Sequence, residues 1–417
     1  MSMKWIKPST IEGKLTSPPS KSLTLRATAA ALLGQGMSRI GEPSCSDDAA
    51  AGFRIARALG AQMRKENGVV TVEGRGPMSG SILDCRESGL CLRMFAPIAA
   101  LSREKMVLAG SGSLVRRPMG MVEAPLRRLG VRCTTRDGFQ PVEVTGPLKS
   151  GRVTIDGSTS SQFLTGLLFA LPLCSGDSEI QAVNLKSKAY AAMTVDLISR
   201  FAVRIETSRD LRRFFIPGSQ KFVPASYTVE GDWSGGAFLL VAGAVAGKVI
   251  VGNLQPGSLQ PDKKILEVLD LAGARVDVAG GSVAVEKGIL KPFVFDATES
   301  PDLFPPLAVL ACACPGKTVI HGAERLIHKE SNRALALASG LSGIGAGIRL
   351  DGNRMEIEGG RLRGGIIDSR GDHRIAMAGA VAGLISEKGV LVSDWKCVSK
   401  SYPGFFDDLE SVREDQP

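Results

Sequence analysis

At 417 residues, with 44% hydrophobic and 22% charged side chains, the chain is long enough for two or three domains with full cores, and its composition excludes a disordered or low-complexity protein. A net charge of +9 admits a nucleic acid, an acidic surface or a small polyanion as partner. With only 3 Trp and 3 Tyr, and no Lys/Arg block interleaved with aromatics, the stacking platform of a nucleic-acid binder is missing, so a concave site for a small anion is favoured.

In chain order, Met1-Ser2-Met3-Lys4 has no apolar segment behind it, so no secretory signal is expected and the cytoplasm is the expected location. A unit then opens at Ser22, runs through the small-residue helix Ala27 to Leu33 and closes a second helix at Leu59-Gly60-Ala61. Its counterparts open at Ser88 and at Ser160; their second helices close at Leu129-Gly130-Val131 and Phe201-Ala202-Val203, and the third carries the apolar helix Phe163 to Leu173. Later openings fall at Ser234, Asp302 and Asp372, with apolar helices Ala237 to Ala246 and Ile375 to Leu384, strand-like runs Val249-Ile250-Val251 and Val390-Leu391-Val392, and closures at Ala272-Gly273-Ala274 and Ile344-Gly345-Ala346. Six openings spaced by about 70 residues mark an internal repeat, which divides most simply as three plus three. Gly or Ala at each closure fits a helix C-terminus leading into a strand. The acidic stretch after Asp407 reads as a frayed or surface helix.

Helices without a polar stripe are buried on every side, so each opening helix is expected at the centre of an α/β layer. They run about 12 to 15 residues, short of the roughly 20 a membrane span needs. The eight cysteines, at 45, 85, 91, 133, 174, 312, 314 and 397, lack metal-ligand spacing and read as reduced core residues. His321, His328 and His373 form no ligand pair, which excludes a zinc site of the usual kind.

The chemistry-bearing residues stand near the openings. Helix N-termini attract anions through unpaired N–H groups, and Lys21-Ser22 with Arg26, Arg93, Ser160-Ser161-Gln162 and Asp372-His373-Arg374 add side chains to them. Taken singly, each is equally an ordinary cap or a solvated surface cation. In Lys329-Glu330-Ser331-Asn332-Arg333 a helix would put Lys329 and Arg333 on one face, which reads either as an anion clamp or as a salt-bridged surface. Asp302 is either an N-cap or a base, and Lys400 either a phosphate ligand or an exposed loop lysine. There is no GxxxxGK[ST] loop and no GxGxxG between a strand and a helix, so the anion is not a conventionally cradled ATP or NAD.

From about Pro8 to Leu409 the chain resembles the 5-enolpyruvylshikimate-3-phosphate synthase family. The resemblance rests on Ser20-Lys21-Ser22 with Arg26, Ser46-Asp47-Asp48, Arg116-Arg117-Pro118-Met119, Asp156 to Thr165, Ser187-Lys188-Ala189-Tyr190, Val229-Glu230-Gly231-Asp232, Pro301-Asp302, Lys329-Glu330 with Arg333, Asp372 to Met377, and Lys400 before Ser401-Tyr402-Pro403. It implies an α/β fold, a two-lobed inside-out α/β barrel of six βαβαββ units, three per lobe. Residues 16–228 would form one lobe, and 1–15 with 229–417 the other. The implied activity is transfer of the enolpyruvyl group of phosphoenolpyruvate to the 5-hydroxyl of shikimate 3-phosphate, with release of phosphate and no metal or organic cofactor. No nucleic acid or membrane is implied as a partner, and the chain would be a monomer.

By the same resemblance Lys21, Ser22, Arg26, Ser160, Ser161, Gln162, Ser187, Tyr190, Asp302 and Lys329 would bind shikimate 3-phosphate. Lys21, Gly89, Arg117, Gln162, Arg333, Arg374 and Lys400 would hold phosphoenolpyruvate. Asp302 would be the base and Glu330 the acid, with Lys21 assisting. Closure of the lobes about Ser17-Pro18-Pro19 and Tyr227 to Asp232 would complete the site. The family's Asn-Ala-Gly-Thr loop reads Glu87-Ser88-Gly89-Leu90 here, which loses a hydroxyl, adds bulk at Leu90 and adds a negative charge at Glu87; this bears on phosphoenolpyruvate affinity and on inhibition by glyphosate. Glu-Thr-Asp-Arg has become Glu330-Ser331-Asn332-Arg333, and Arg325 stands where the family has a neutral residue. The rival readings are the sister transferase acting on a UDP-amino sugar, which lacks the Lys-Glu-x-x-Arg and Asp-His-Arg signatures, an RNA-binding relative whose affinity would fall steeply with salt, and an inactive relative kept for binding.

Overall fold

The computed structural model describes residues 2–74 and 81–414. In chain order its helices are α1 (Lys21–Leu33), α2 (Asp47–Ala58), α3 (Gly89–Ala99), α4 (Glu123–Arg128), α5 (Gln162–Ala170), α6 (Lys188–Ser199), α7 (Trp233–Ala246), α8 (Ile265–Leu271), α9 (Phe304–Ala313), α10 (Arg333–Gly343), α11 (His373–Leu384) and α12 (Phe405–Ser411). The chain is α/β and divides into two compact units, Pro19–Val229 and Met1–Pro18 with Glu230–Pro417.

Within Pro19–Val229 one sheet runs Ser226–Thr228, Gly36–Gly41, Val69–Gly74, Gln62–Glu66. A second runs Ile82–Asp84, Lys105–Ala109, Phe139–Thr145, Arg132–Arg136, and a third Arg152–Asp156, Ser178–Val183, Arg213–Ile216, Glu206–Thr207. In each, the first pair is parallel and the others antiparallel. A parallel pair needs a crossover, and α3 and α5 supply it in the second and third sheets.

The other unit repeats this order in Val294–Asp296, Gly316–His321, Arg354–Gly359, Gly347–Asp351. Its five-stranded sheet places Thr10–Thr16 parallel to Gly247–Gly252 and antiparallel to Arg413–Glu414. In its three-stranded sheet Met3–Ile6 lies antiparallel to Val390–Ser393, which is parallel to Gly365–Asp368.

Each opening helix is buried as its apolar sequence requires: every residue of α3, α7 and α11 is buried, as are Leu23 to Leu33 of α1, Phe163 to Ala170 of α5 and Phe304 to Cys312 of α9. Small residues permit this packing. At Gly166 of α5 a β-carbon would collide with the Met94 carbonyl of α3. Among the described residues no helix is long and apolar enough to cross a membrane.

Several local expectations change. Ser88 and Asp372 cap α3 and α11, but α1 is capped by Ser20 and α7 by Asp232, with Ser22 and Ser234 already in the first turn. Ser161 stands at the N-cap of α5, and Asp302 lies in a 3-10 turn before α9. Phe405–Ser411 is not a frayed helix: Leu409 and Val412 are buried, and the chain pairs again at Arg413–Glu414. Cys45 is exposed, unlike the buried Cys85, Cys91, Cys133, Cys174, Cys312 and Cys314.

Candidate functional site

The candidate residues divide between the two units. In Pro19–Val229, Lys21 is the first residue of α1, and its Nζ lies 3.1 Å from Oδ2 of Asp48 in the first turn of α2. Five residues on, Arg26 is buried and braces three helices. Its Nε donates to Thr194 Oγ1 of α6 at 2.9 Å, Nη1 to the Ser22 carbonyl at 3.0 Å and Nη2 to Thr165 Oγ1 of α5 at 3.4 Å. The guanidinium lies 5.7 Å from the Tyr190 ring centroid, and burial pulls it down to about 10. Its geometry is therefore that of a residue positioning Ser22, α5 and Tyr190 from behind.

The N-termini of α3 and α5 are joined by Arg93, whose Nη1 donates to Gln162 Oε1 at 2.9 Å and Nη2 to the Pro118 carbonyl at 3.0 Å. Ser160 Oγ accepts from the Gln162 amide at 3.1 Å. Ser187 precedes α6 with a left-handed backbone, φ 55°. Arg117 is buried with its guanidinium over the Cα of Gly89, where a β-carbon would come within 2.5 Å of Nη1. The sequence placed Glu87 as an added charge on this pocket, but its carboxylate turns to Ser113, accepting from the amide at 3.0 Å and the hydroxyl at 2.9 Å. Leu90 is buried in the core.

In the other unit the charged candidates gather on one arginine. Arg333, the first residue of α10, donates from Nε to Asp372 Oδ2 at 2.9 Å, from Nη1 to Asp302 Oδ1 at 2.9 Å, and from Nη2 to Glu330 Oε2 at 2.6 Å and Asp372 Oδ1 at 3.2 Å. Lys329 Nζ lies 3.3 Å from Asp302 Oδ1 and Arg374 Nη2 3.3 Å from Asp302 Oδ2. Lys329 and Glu330 are not helical as expected: Asn332 accepts from the Leu335 amide and starts α10 at Arg333, so Lys329 reaches Asp302 from an irregular loop. Lys400 ends a 3-10 turn and is buried, so of its two readings the exposed loop lysine is set aside.

Burial and opposite charges compete in setting the protonation states here. Burial alone would raise the Asp302 carboxyl, but Arg374, Lys329 and Arg333 outweigh it and hold the group well below the usual carboxylate range. Burial lowers Lys329 to about 8 against the pull of Asp302. Arg333, although buried, is pushed above its ordinary value by Asp372, Glu330 and Asp302.

Asp262 was missed by the sequence reading. It is buried in the 3-10 turn Pro261–Lys264, and its carboxyl is pushed up to about 7 by burial and by the charge of Asp302. Nothing in Pro261-Asp262-Lys263-Lys264 itself marks it as buried, and only the Ile265-Leu266 pair after it is apolar. Asp48 and Asp372 were visible as motif members without a role; here they pair with Lys21 and Arg333. Among the described residues no group of three or more His, Cys, Asp or Glu is placed to hold a metal ion.

The chain is similar to known proteins over nearly its whole length. The sequence profile of EPSP synthase (3-phosphoshikimate 1-carboxyvinyltransferase) matches residues 6–409. A 3-phosphoshikimate 1-carboxyvinyltransferase of Aeropyrum pernix is 42% identical over 405 residues, covering 97% of this chain and 94% of that protein. One of Clostridium novyi is 37% identical over 420 residues, covering 98% and 96%. An EPSP synthase structure from Acinetobacter baumannii superimposes with a TM-score of 0.81 at 25% identity, over 99% of this chain and 98% of that one.

Proposed function

The chain belongs to the EPSP synthase family, and on that premise we propose that it transfers the enolpyruvyl group of phosphoenolpyruvate to the 5-hydroxyl of shikimate 3-phosphate, an addition followed by an elimination. The 5-hydroxyl gives its proton to Asp302 and its oxygen bonds to C2 of phosphoenolpyruvate, while the C2–C3 π electrons take a proton at the C3 methylene. The C2–O bond to phosphate then breaks as C3 returns a proton, leaving an enol ether and inorganic phosphate.

The observation that carries this reading is the convergence of Lys329, Arg333 and Arg374 on Asp302, with Glu330 on the same arginine. Two small polyanions call for such cations, since guanidinium forks match carboxylate and phosphate oxygens. Asp302 stays ionised, as a general base must. Anionic substrate drawing Lys329 and Arg374 away from it restores its basicity. Proton delivery to C3 is assigned to Glu330, with Lys21 assisting, and arginines stabilise departing phosphate.

Shikimate 3-phosphate is assigned to Lys21, Ser22, Ser160, Ser161, Gln162, Ser187, Tyr190, Asp302 and Lys329, with Arg26 behind them. Phosphoenolpyruvate is assigned to Lys21, Gly89, Arg117, Gln162, Arg333, Arg374 and Lys400. The repeated sheet order supports reading the units as lobes of an inside-out α/β barrel built from six βαβαββ elements, three in 16–228 and three in 1–15 with 229–417. We assign the chain to the cytoplasm, as a monomer.

The test is phosphate release with shikimate 3-phosphate or a UDP-amino sugar as acceptor. Release with the first alone, falling at least a hundredfold in Asp302→Asn and in Glu330→Gln, supports the assignment. Release with the UDP-amino sugar, or variants as fast as the unaltered chain, overturns it.

A further inference from the structure

Residues 85–88 and 109–113 are laced together. The Cys85 amide donates to the Ala109 carbonyl at 2.7 Å, the Ser111 amide to the Arg86 carbonyl at 2.7 Å, and the Ser113 amide and hydroxyl both to Glu87 Oε2. Gly112 has φ 54° and lies against the Glu87 carboxylate, where a β-carbon would collide with it. Glu87 thus binds the first turn of the 3-10 segment Gly112–Arg116, where Ser111 makes no side-chain cap bond. A carboxylate suits that end because the unpaired amides there carry partial positive charge.

The far end of the segment delivers Arg117. Its amide donates to the Leu114 carbonyl at 3.1 Å, and its side chain doubles back over Gly89, two residues beyond Glu87. Pro118 is held in turn by Arg93 of α3. The chain from Glu87 to Gly89 and the chain from Ser113 to Arg117 therefore meet twice, once through the carboxylate and once through the guanidinium.

We infer that Glu87 is a positioning residue for Arg117, its carboxylate anchoring the turn that places the guanidinium on the N-terminus of α3. This rests on the reading of Arg117 as a phosphoenolpyruvate ligand. It gives the Glu-Ser-Gly-Leu loop a purpose other than repelling the donor: the carboxylate holds Ser113, and donor affinity depends on that tie.

The experiment compares the unaltered chain with Glu87→Ala and Glu87→Gln by amide hydrogen exchange at Ser113 to Arg117 and by steady-state kinetics. Glu87→Ala should speed exchange at Ser113 and raise the KM for phosphoenolpyruvate, each about tenfold, as loss of one charge-assisted hydrogen bond implies. KM for shikimate 3-phosphate and kcat should stay within twofold. Glu87→Gln keeps an oxygen for the Ser113 amide and should stay within threefold of the unaltered chain in both readouts. Unchanged exchange or an unchanged donor KM in Glu87→Ala overturns the inference, as does an equal rise in both KM values in the Gln variant. An unaltered chain that releases no phosphate sinks the transferase reading by itself, and the exchange rates still decide whether Glu87 holds the turn.

Discussion

Arg333 donates to three carboxylates at once, and Asp372, one of them, is fully buried. Removing one partner from a buried ionic network leaves uncompensated charge, which costs about 3–5 kcal/mol. Arg333→Met keeps most of the volume and should lose stability of that order in urea unfolding, together with transferase activity; a loss below about 1 kcal/mol would mean the network is solvated. Lys329 makes a pH prediction whose two signs differ. Its pKa is lowered from 10.5 to about 8, so kcat/KM for shikimate 3-phosphate should fall as pH rises through about 8, and Lys329→Arg should move that fall above pH 10. In the same protein the folded state binds fewer protons than the unfolded one between pH 8 and 10.5, so this group's contribution to stability rises with pH in that window. A kinetic fall that merely tracked unfolding would run the other way.

Helix ends carry the repeat more faithfully than helix beginnings. Gly60, Gly130, Gly273 and Gly345 all adopt positive φ after their helices, and Ala202 takes the equivalent place at φ 60°. A left-handed non-glycine residue costs roughly 1–2 kcal/mol, partly offset in glycine by its freer unfolded chain. Ala202→Gly should therefore stabilise the protein by about 0.5–1 kcal/mol, read as a higher urea midpoint at unchanged slope; a lower midpoint would show that the methyl group packs. These closures were legible because the left-handed turn after each helix favours glycine, which four of the five carry. Beginnings were less so, since Ser20 and Ser22 both suit a cap and only the backbone chooses the first. Lys329 and Arg333 invited a helical pairing that Asn332 interrupts, yet both reach Asp302. Their charges were legible, whereas the loop between them depends on a partner 27 residues away.

Across the whole chain, Pro19–Val229 is inserted into a unit made of the two ends. The described strands of its three sheets all come from within that segment, while Glu230–Pro417 takes Met3–Ile6 and Thr10–Thr16 from the N-terminus. A fragment of residues 19–229 should therefore unfold cooperatively in urea, and one of 230–417 should not until a peptide of residues 1–18 is added. Cooperative unfolding of 230–417 alone would show that those strands are dispensable. The apolar opening helices announced the α/β class, because a helix without a polar stripe is buried on every side. The crossing of the chain and the Asp262 carboxylate beside Asp302 were not legible in residue pattern alone, being products of long-range packing. Enolpyruvyl transfer itself is tested most directly by 31P NMR of the purified protein with phosphoenolpyruvate and shikimate 3-phosphate. The phosphoenolpyruvate signal should give way to inorganic phosphate only when the acceptor is present, with one new phosphomonoester signal for the enol ether. Phosphate appearing without acceptor, or no phosphate with both substrates present, would contradict the assignment.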